Sequence, residues 1–230
     1  MITAGTVVVP ARDEQAVIGA CLDSVLAARA HVQRERGVPI DVVVVLDVCR
    51  DGTRGVVARY PDVCVLEAYD GSVGAARRIG AARVPDDPQH WLASTDADCR
   101  VPIDWLLRMV SHADDGADLV LGTVRPDALP EAVRLAWIAA HHLGDGHRHV
   151  HGANLGIRGS THAAAGGWPP LPAHEDAGLV ARVEQLAGVH VRRCGDVVVE
   201  TSSRTHGRAP DGFAGYLANL ADGLPQPRAG

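Results

Sequence analysis

The stretch 40–46 constrains the fold most: it is apolar at every position except Asp41. It is too short for a buried helix and too continuous for a strand with one wet face, so it reads as a strand covered on both sides. A similar run, 6–9, precedes it and closes at Pro10. Between the two, Val17, Ile18, Cys21, Leu22, Val25 and Leu26 recur at three- and four-residue spacing, the pattern of an amphipathic helix from Glu14 to about Glu35, stopped by Gly37 and Pro39. The alternation continues. A helix capped by Asp51 or Thr53 runs to about Tyr60, followed by a strand over 63–66. A glycine-containing loop at 71–74 enters a helix, and then come a strand over 91–95, a helix over 103–112 and a strand over 118–123. Strand and helix in turn predict an α/β chain with a mostly parallel sheet and right-handed crossovers.

The second half has a different grain. A helix over 129–143, a loop carrying His147, His149 and His151, and a strand over 153–158 precede a rigid segment, 166–172, with three prolines. His174 opens a helix to about Gly188, two short strands follow at 189–192 and 197–201, then a polar, Arg-rich stretch at 202–211 and a last helix over 213–220. This predicts a smaller mixed region in one domain, 1–230, with halves at 1–125 and 126–230.

Hydrophobic residues make up 47% of the 230, enough for a real core, and aromatics only 3%, which leaves Trp168 as the one obvious stacking platform for a sugar. The formal charge of −6 argues against nucleic acid as a partner. No apolar run approaches the roughly 20 residues of a membrane span, and no signal peptide is expected ahead of the first strand. Five scattered cysteines, none in a Cys-x-x-Cys spacing, fit a reducing cytoplasm. All 22 basic residues are Arg, which excludes the usual P-loop and any Schiff-base lysine.

The chemistry is expected where the 91–95 strand ends, at Asp96 and Asp98. In an extended segment two residues apart face one side, and ligands of open α/β sheets bind at the C-terminal strand ends. Two converging carboxylates call for a cation or a proton between them; Mg²⁺ or Mn²⁺, itself bridging phosphates, suits them. The plainer alternative makes Asp98 a helix cap and Asp96 a surface turn residue. The loop at 71–74 offers backbone N–H groups and a helix N-terminus to a diphosphate, with Arg77 and Arg78 adding charge or facing solvent. His141, His142, His147, His149 and His151 form either a solvated loop or a transition-metal cluster.

In order along the chain, Val7-Val-Val-Pro10-Ala11-Arg12-Asp13-Glu14, Asp47 with Asp51-Gly-Thr53, Gly74-Ala-Ala-Arg77, Thr95-Asp96-Ala-Asp98, Gly152-Ala-Asn154 and Glu175-Asp176 resemble the motif series of glycosyltransferase family 2. The resemblance implies a GT-A fold and a metal-dependent, inverting transfer from a nucleoside diphosphate sugar to a hydroxyl of a small-molecule, glycan or lipid acceptor. It implies that Pro10, Ala11, Arg12 and Glu14 border the nucleotide, that Asp47 meets the base, and that Arg77 lies near the base or phosphates. Asp96 would contact the ribose or metal, and Asp98 the metal. Asp176, with Glu175 beside it, would supply the catalytic base. Related enzymes also point to His206 as a metal ligand, with a surface-loop residue as the plainer alternative; Arg204 and Arg208 flank it and are candidate lid contacts to the diphosphate. Leu46 stands where the family often has a second acid, which leaves the base open. A nucleotide-sugar-binding protein without catalysis and a sugar-1-phosphate nucleotidylyltransferase are the rival readings. The oligomeric state is open.

Overall fold

The computed structural model describes residues 1–205 and 213–222. Its centre is one eight-stranded sheet, ordered β3-β2-β1-β4-β7-β6-β8-β5. The strands are β1 (Ala4–Ala11), β2 (Ile40–Asp47), β3 (Val63–Ala68), β4 (His90–Ser94), β5 (Cys99–Arg100), β6 (Leu119–Pro126), β7 (Leu155–Arg158) and β8 (Val191–Thr201). The first four pair in parallel, with Val7 against Val42 and Ala93, and β2 against β3 from Val42↔Val63. Their apolar residues divide between two cores. Val7, Val9, Val42 and Val44 face α1 (Ile18–Arg36) and α4 (Trp105–Asp114), whereas Val8, Val43 and Val45 face the opposite cluster with Leu92, Leu121, Trp168 and Leu179. Period-two alternation with both faces apolar makes a strand that is dry on both sides.

The helix ends follow local chemistry. Gly37 adopts φ 68°, and its N–H returns to the Gln33 carbonyl, 2.9 Å away, closing α1 as the sequence predicts. The remaining helices are α2 (Thr53–Val57), α3 (Val73–Gly80), α5 (Glu131–Ala140), α6 (Gly159–Ala164), α7 (Glu175–Val183) and α8 (Phe213–Asp222).

The second half departs from the sequence reading. β7 enters antiparallel between β4 and β6, so β4 and β6 do not pair. The two strands expected at 189–192 and 197–201 are one, β8. It pairs with β6 in two registers, Leu121↔Arg193 and then Thr123↔Val198, with a bulge between. The short β5 pairs antiparallel with the end of β8 and brings Thr201 beside Cys99. No helix among the described residues is long and apolar enough to cross a membrane.

Candidate active site

The C-terminal tips of β1, β2 and β4 lie at one end of the sheet because those strands are parallel and in register. Pro10 and Ala11 are the buried last residues of β1. The loop that follows is stitched to the loop after β2. Asp13, at φ 51°, accepts from the Arg50 N–H at 2.6 Å, and the Glu14 N–H donates to Thr53 Oγ1 at 2.7 Å. Asp47, 4% exposed, accepts from the Gly71 N–H at 2.9 Å, while Arg12 donates to the Gly71 carbonyl at 3.2 Å. Arg12 and Asp47 thus hold the 71–72 turn between them.

Asp96 and Asp98 converge, though not as expected. The strand stops at Ser94, and the Cys99 N–H bonds the Asp96 carbonyl at 3.0 Å, so a tight turn rather than an extended segment brings the two side chains together. Their carboxylate oxygens and the Cys99 sulfur lie within 4.8 Å of one another. Capping is not the role of Asp98, because α4 starts only at Trp105, after Asp104. Burial, then the neighbouring Asp96 charge, pushes the Asp98 carboxyl up to about 6. Burial also keeps the Cys99 thiol protonated, well above its usual range. The donor set is therefore two hard carboxylate oxygens, which fits Mg²⁺ or Mn²⁺ better than a soft metal.

Behind this turn lies Arg77, 2% exposed. Its Nε donates to Ser94 Oγ at 3.0 Å, and its two terminal nitrogens pair with Asp96 and Glu175. Its guanidinium carbon lies 5.2 Å from the Trp168 ring centroid, a cation–π contact. A Cβ on Gly152 would come within 2.6 Å of that carbon, so only glycine lets the guanidinium through. Arg77, expected near the base or phosphates, is here a buried counter-ion joining three elements. Trp168, fully buried beneath it, offers no face to a sugar.

The expected phosphate cradle is also corrected. The Gly71 N–H is held by Asp47, the Gly74 N–H by the Leu171 carbonyl at 3.0 Å, and the Ala75 N–H by Ser72 Oγ. The proline-rich segment covers the start of α3 so closely that a Cβ on Gly74 would strike the backbone of Pro169 and Leu171. The Gly74 and Ala75 N–H groups at that helix end already have their partners.

Glu175 and Asp176 open α7 after His174, which sits at φ 59°. They take different directions. Glu175, 4% exposed, is turned inward onto Arg77, which withdraws it from a reacting position. Asp176 stays half-buried and accepts from the Gly152 N–H at 2.8 Å and the Ala177 N–H at 2.7 Å.

Arg204 binds Glu14 through both terminal nitrogens, at 2.9 and 3.0 Å, and reaches Asp98 at 3.0 Å. Glu14 is buried by this pair. His206 and Arg208 lie outside the described residues. The histidine loop is neither loose nor a metal cluster among the described residues. Trp137 stacks on His141 at 3.5 Å, His141 on His149 at 5.0 Å and His149 on His151 at 5.8 Å. His147 is buried with Nε2 3.1 Å from the Leu121 carbonyl. Sequence reading missed Ser94 and Gly152 as supports of Arg77; the Gly-x-Asn motif at 152–154 was the one available signal for the latter.

The model of the family described as glycosyl transferase family 2 matches residues 6–132, more than half the chain. A search of the curated proteins finds no match. Among solved structures, S. aureus TarS 1–349 in complex with UDP-GlcNAc is similar at TM-score 0.67 and 16% identity, over 92% of this chain and 62% of that one. The mannosyltransferase PcManGT from Pyrobaculum calidifontis, in complex with GDP-Man and Mn²⁺, gives 0.66 and 22%, over 90% and 59%. Glucosyl-3-phosphoglycerate synthase from Mycobacterium tuberculosis, in complex with Mn²⁺, UDP and phosphoglyceric acid, gives 0.60 and 16%, over 97% and 80%. The chain thus spans about three fifths of the length of the first two. With the sheet order, the paired carboxylates and the family match on one footing, the chain belongs to glycosyl transferase family 2, a family of sugar-transferring enzymes, and has the GT-A fold.

Proposed function

We propose that the protein transfers a sugar, with inversion, from a nucleoside diphosphate sugar to a hydroxyl acceptor, with Mg²⁺ or Mn²⁺ held by Asp98 and Asp96. The observation that carries this is the Asp96–Asp98 turn: two carboxylates forced together at a strand tip, one pushed up to about 6 by burial and repulsion. A bound divalent ion would stabilise charge on the departing diphosphate. The transfer passes through an oxocarbenium-like state, so a base has to accept the acceptor's proton only late. Asp176 suits that task. It is half-buried and held by two N–H donors at the start of a helix, so its carboxylate has a fixed position. Inversion at the anomeric carbon follows where no enzyme nucleophile intervenes. Asp47, Arg12 and the tip of β1 border the nucleotide in this reading, with 1–125 as the donor half and 126–230 as the acceptor half. UDP and GDP sugars occur with the relatives above. Leu46 leaves the base between them open, and the acceptor is a small molecule, glycan or lipid. Five free cysteines suit a reducing cytoplasm.

The test is a thermal-shift screen of UDP, GDP and ADP with and without Mn²⁺, followed by assay of sugar release. A ligand present at 100 times its Kd stabilises the folded state by about 2.7 kcal/mol. One nucleotide should raise the melting temperature only with metal present, and Asp98→Asn should abolish both that rise and turnover. Nucleotide binding without sugar release from any donor would favour a non-catalytic binder; release of pyrophosphate from a nucleoside triphosphate would favour a nucleotidylyltransferase.

A further inference from the structure

Arg204 lies across the proposed metal position. Its Nη1 is 2.9 Å from Glu14 Oε2, and its Nη2 is 3.0 Å from both Glu14 Oε1 and Asp98 Oδ2. Both acceptors are poorly hydrated, with side chains 7% and 11% exposed, whereas Arg204 is 36% exposed and opens to solvent. Carboxylates buried to that degree need a positive charge close by. The backbone leading to Arg204 is fixed. The Ser202 N–H donates to the Asp98 carbonyl at 3.2 Å and the Ser203 N–H to Asp127 at 2.9 Å. The guanidinium can therefore leave the carboxylates by side-chain rotation while strand β8 stays in place.

We propose that Arg204 is an exchangeable cation: it compensates Glu14 and Asp98 before ligands arrive, and a divalent ion taking Asp98 displaces it toward the phosphates of the donor. This rests on the divalent-ion reading above and adds a mechanism to it. A monovalent guanidinium and a divalent ion repel each other at 3 Å and compete for one carboxylate oxygen. Metal alone then binds weakly, because it has to evict Arg204. Metal with a diphosphate binds well, because the evicted guanidinium gains a bidentate anionic partner. Metal and nucleotide become coupled through one side chain.

The test measures free Mn²⁺ by electron paramagnetic resonance during titration of the full chain, without nucleotide and then with the diphosphate that the thermal screen selects. Arg204→Gln should bind Mn²⁺ alone about tenfold more tightly than the wild type and should lose most of the enhancement that nucleotide brings, a coupling within the usual 5- to 150-fold range. Arg204→Lys keeps a charge without the fork and should fall between the two. Arg100→Gln, which removes an exposed cation paired with Glu200, controls for net charge and should leave Mn²⁺ affinity as it was. Melting temperatures establish that each variant is folded, and Arg204→Lys carries the test if the glutamine variant is not. Equal or weaker Mn²⁺ binding by the folded Arg204 variants would overturn the exchange while leaving the metal reading intact. Absence of Mn²⁺ binding by every protein, with nucleotide present, would overturn both.

Discussion

Gly152 carries two jobs that no other residue can combine. Its missing Cβ leaves room for the Arg77 guanidinium, and its N–H holds Asp176 Oδ2 at 2.8 Å. An alanine there would stand 2.6 Å from the Arg77 carbon, and that neighbour cannot yield, because its three nitrogens are tied to Ser94, Asp96 and Glu175. Gly152→Ala should therefore cost about 1–3 kcal/mol of stability, the range of an overpacked interior, read as a lower urea midpoint at unchanged slope. It should also lower kcat more than it raises KM, because it tilts the proposed base rather than the donor contacts. A variant with wild-type urea midpoint and kcat would show that Arg77 has room to move. Strain collects around the same site: Asp13, Val48 and His174, at φ of 51°, 51° and 59°, follow β1, follow β2 and precede α7. Three non-glycine residues in the left-handed region are held there by the contacts around them.

At the scale of elements, the histidine ladder gives a prediction with a sign. His151 lies in the stack with His149 and meets the Phe213 ring edge-on; burial, with the nearby His149, pulls its pKa down to about 4. Burial and Arg182 do the same to His162. A histidine lowered from 6.5 to about 4 binds its proton less readily when folded, so its contribution is present above pH 6.5 and is lost as pH falls toward 4. Asp98, raised to about 6, and Glu175, also raised by burial, work the other way, but burial lowers His90, His141 and His147 as well, so the histidines outnumber the two carboxyls. The melting temperature should therefore fall on acidification from pH 7 to 4.5, and His151→Phe, which keeps a ring in the stack, should flatten that fall. An unchanged slope in the variant would remove His151 as a cause. The ladder was not legible in the sequence: five histidines within 141–151 look like a solvated loop, and only Trp137 and α8 turn them into a packed row. Strands β1 to β4 were legible because each has its own apolar run and local stop. β7 and the two-register β8 were not, since their partners lie tens of residues away and a bulge looks like a break. The Asp96–Asp98 pair was found for the right residues through the wrong geometry: spacing gave convergence, and a turn provides it.

Across the whole molecule, the two halves of the chain share an ion pair in which both partners are buried. Arg77, on α3, and Glu175, on α7, are 98 residues apart in sequence, and no spacing rule could have joined them. The pair also explains how Asp96, on the proposed metal side, and the proposed base keep a fixed relation, since Arg77 grips Asp96 on one side while Glu175 precedes Asp176 on the other. Removing one partner leaves a buried charge without compensation, which costs about 3–5 kcal/mol; removing both costs less, because no lone charge remains. Burial raises the Glu175 carboxyl even though Arg77 pulls the other way, so a neutral glutamine is tolerated better than a lone carboxylate. A double-mutant cycle of Arg77→Met and Glu175→Gln should show an interaction of at least 1 kcal/mol, within the 0.5–3 kcal/mol range of coupled neighbours. Arg77→Met should be the costlier single change, because it orphans both Asp96 and Glu175. The same cycle read in kcat should couple as well, since loss of either partner loosens the tie between the proposed donor and acceptor halves. Additive stabilities would mean that Arg77 and Glu175 act independently, and the shared sheet and the Arg204 pairs with Glu14 and Asp98 would then hold the halves together without them.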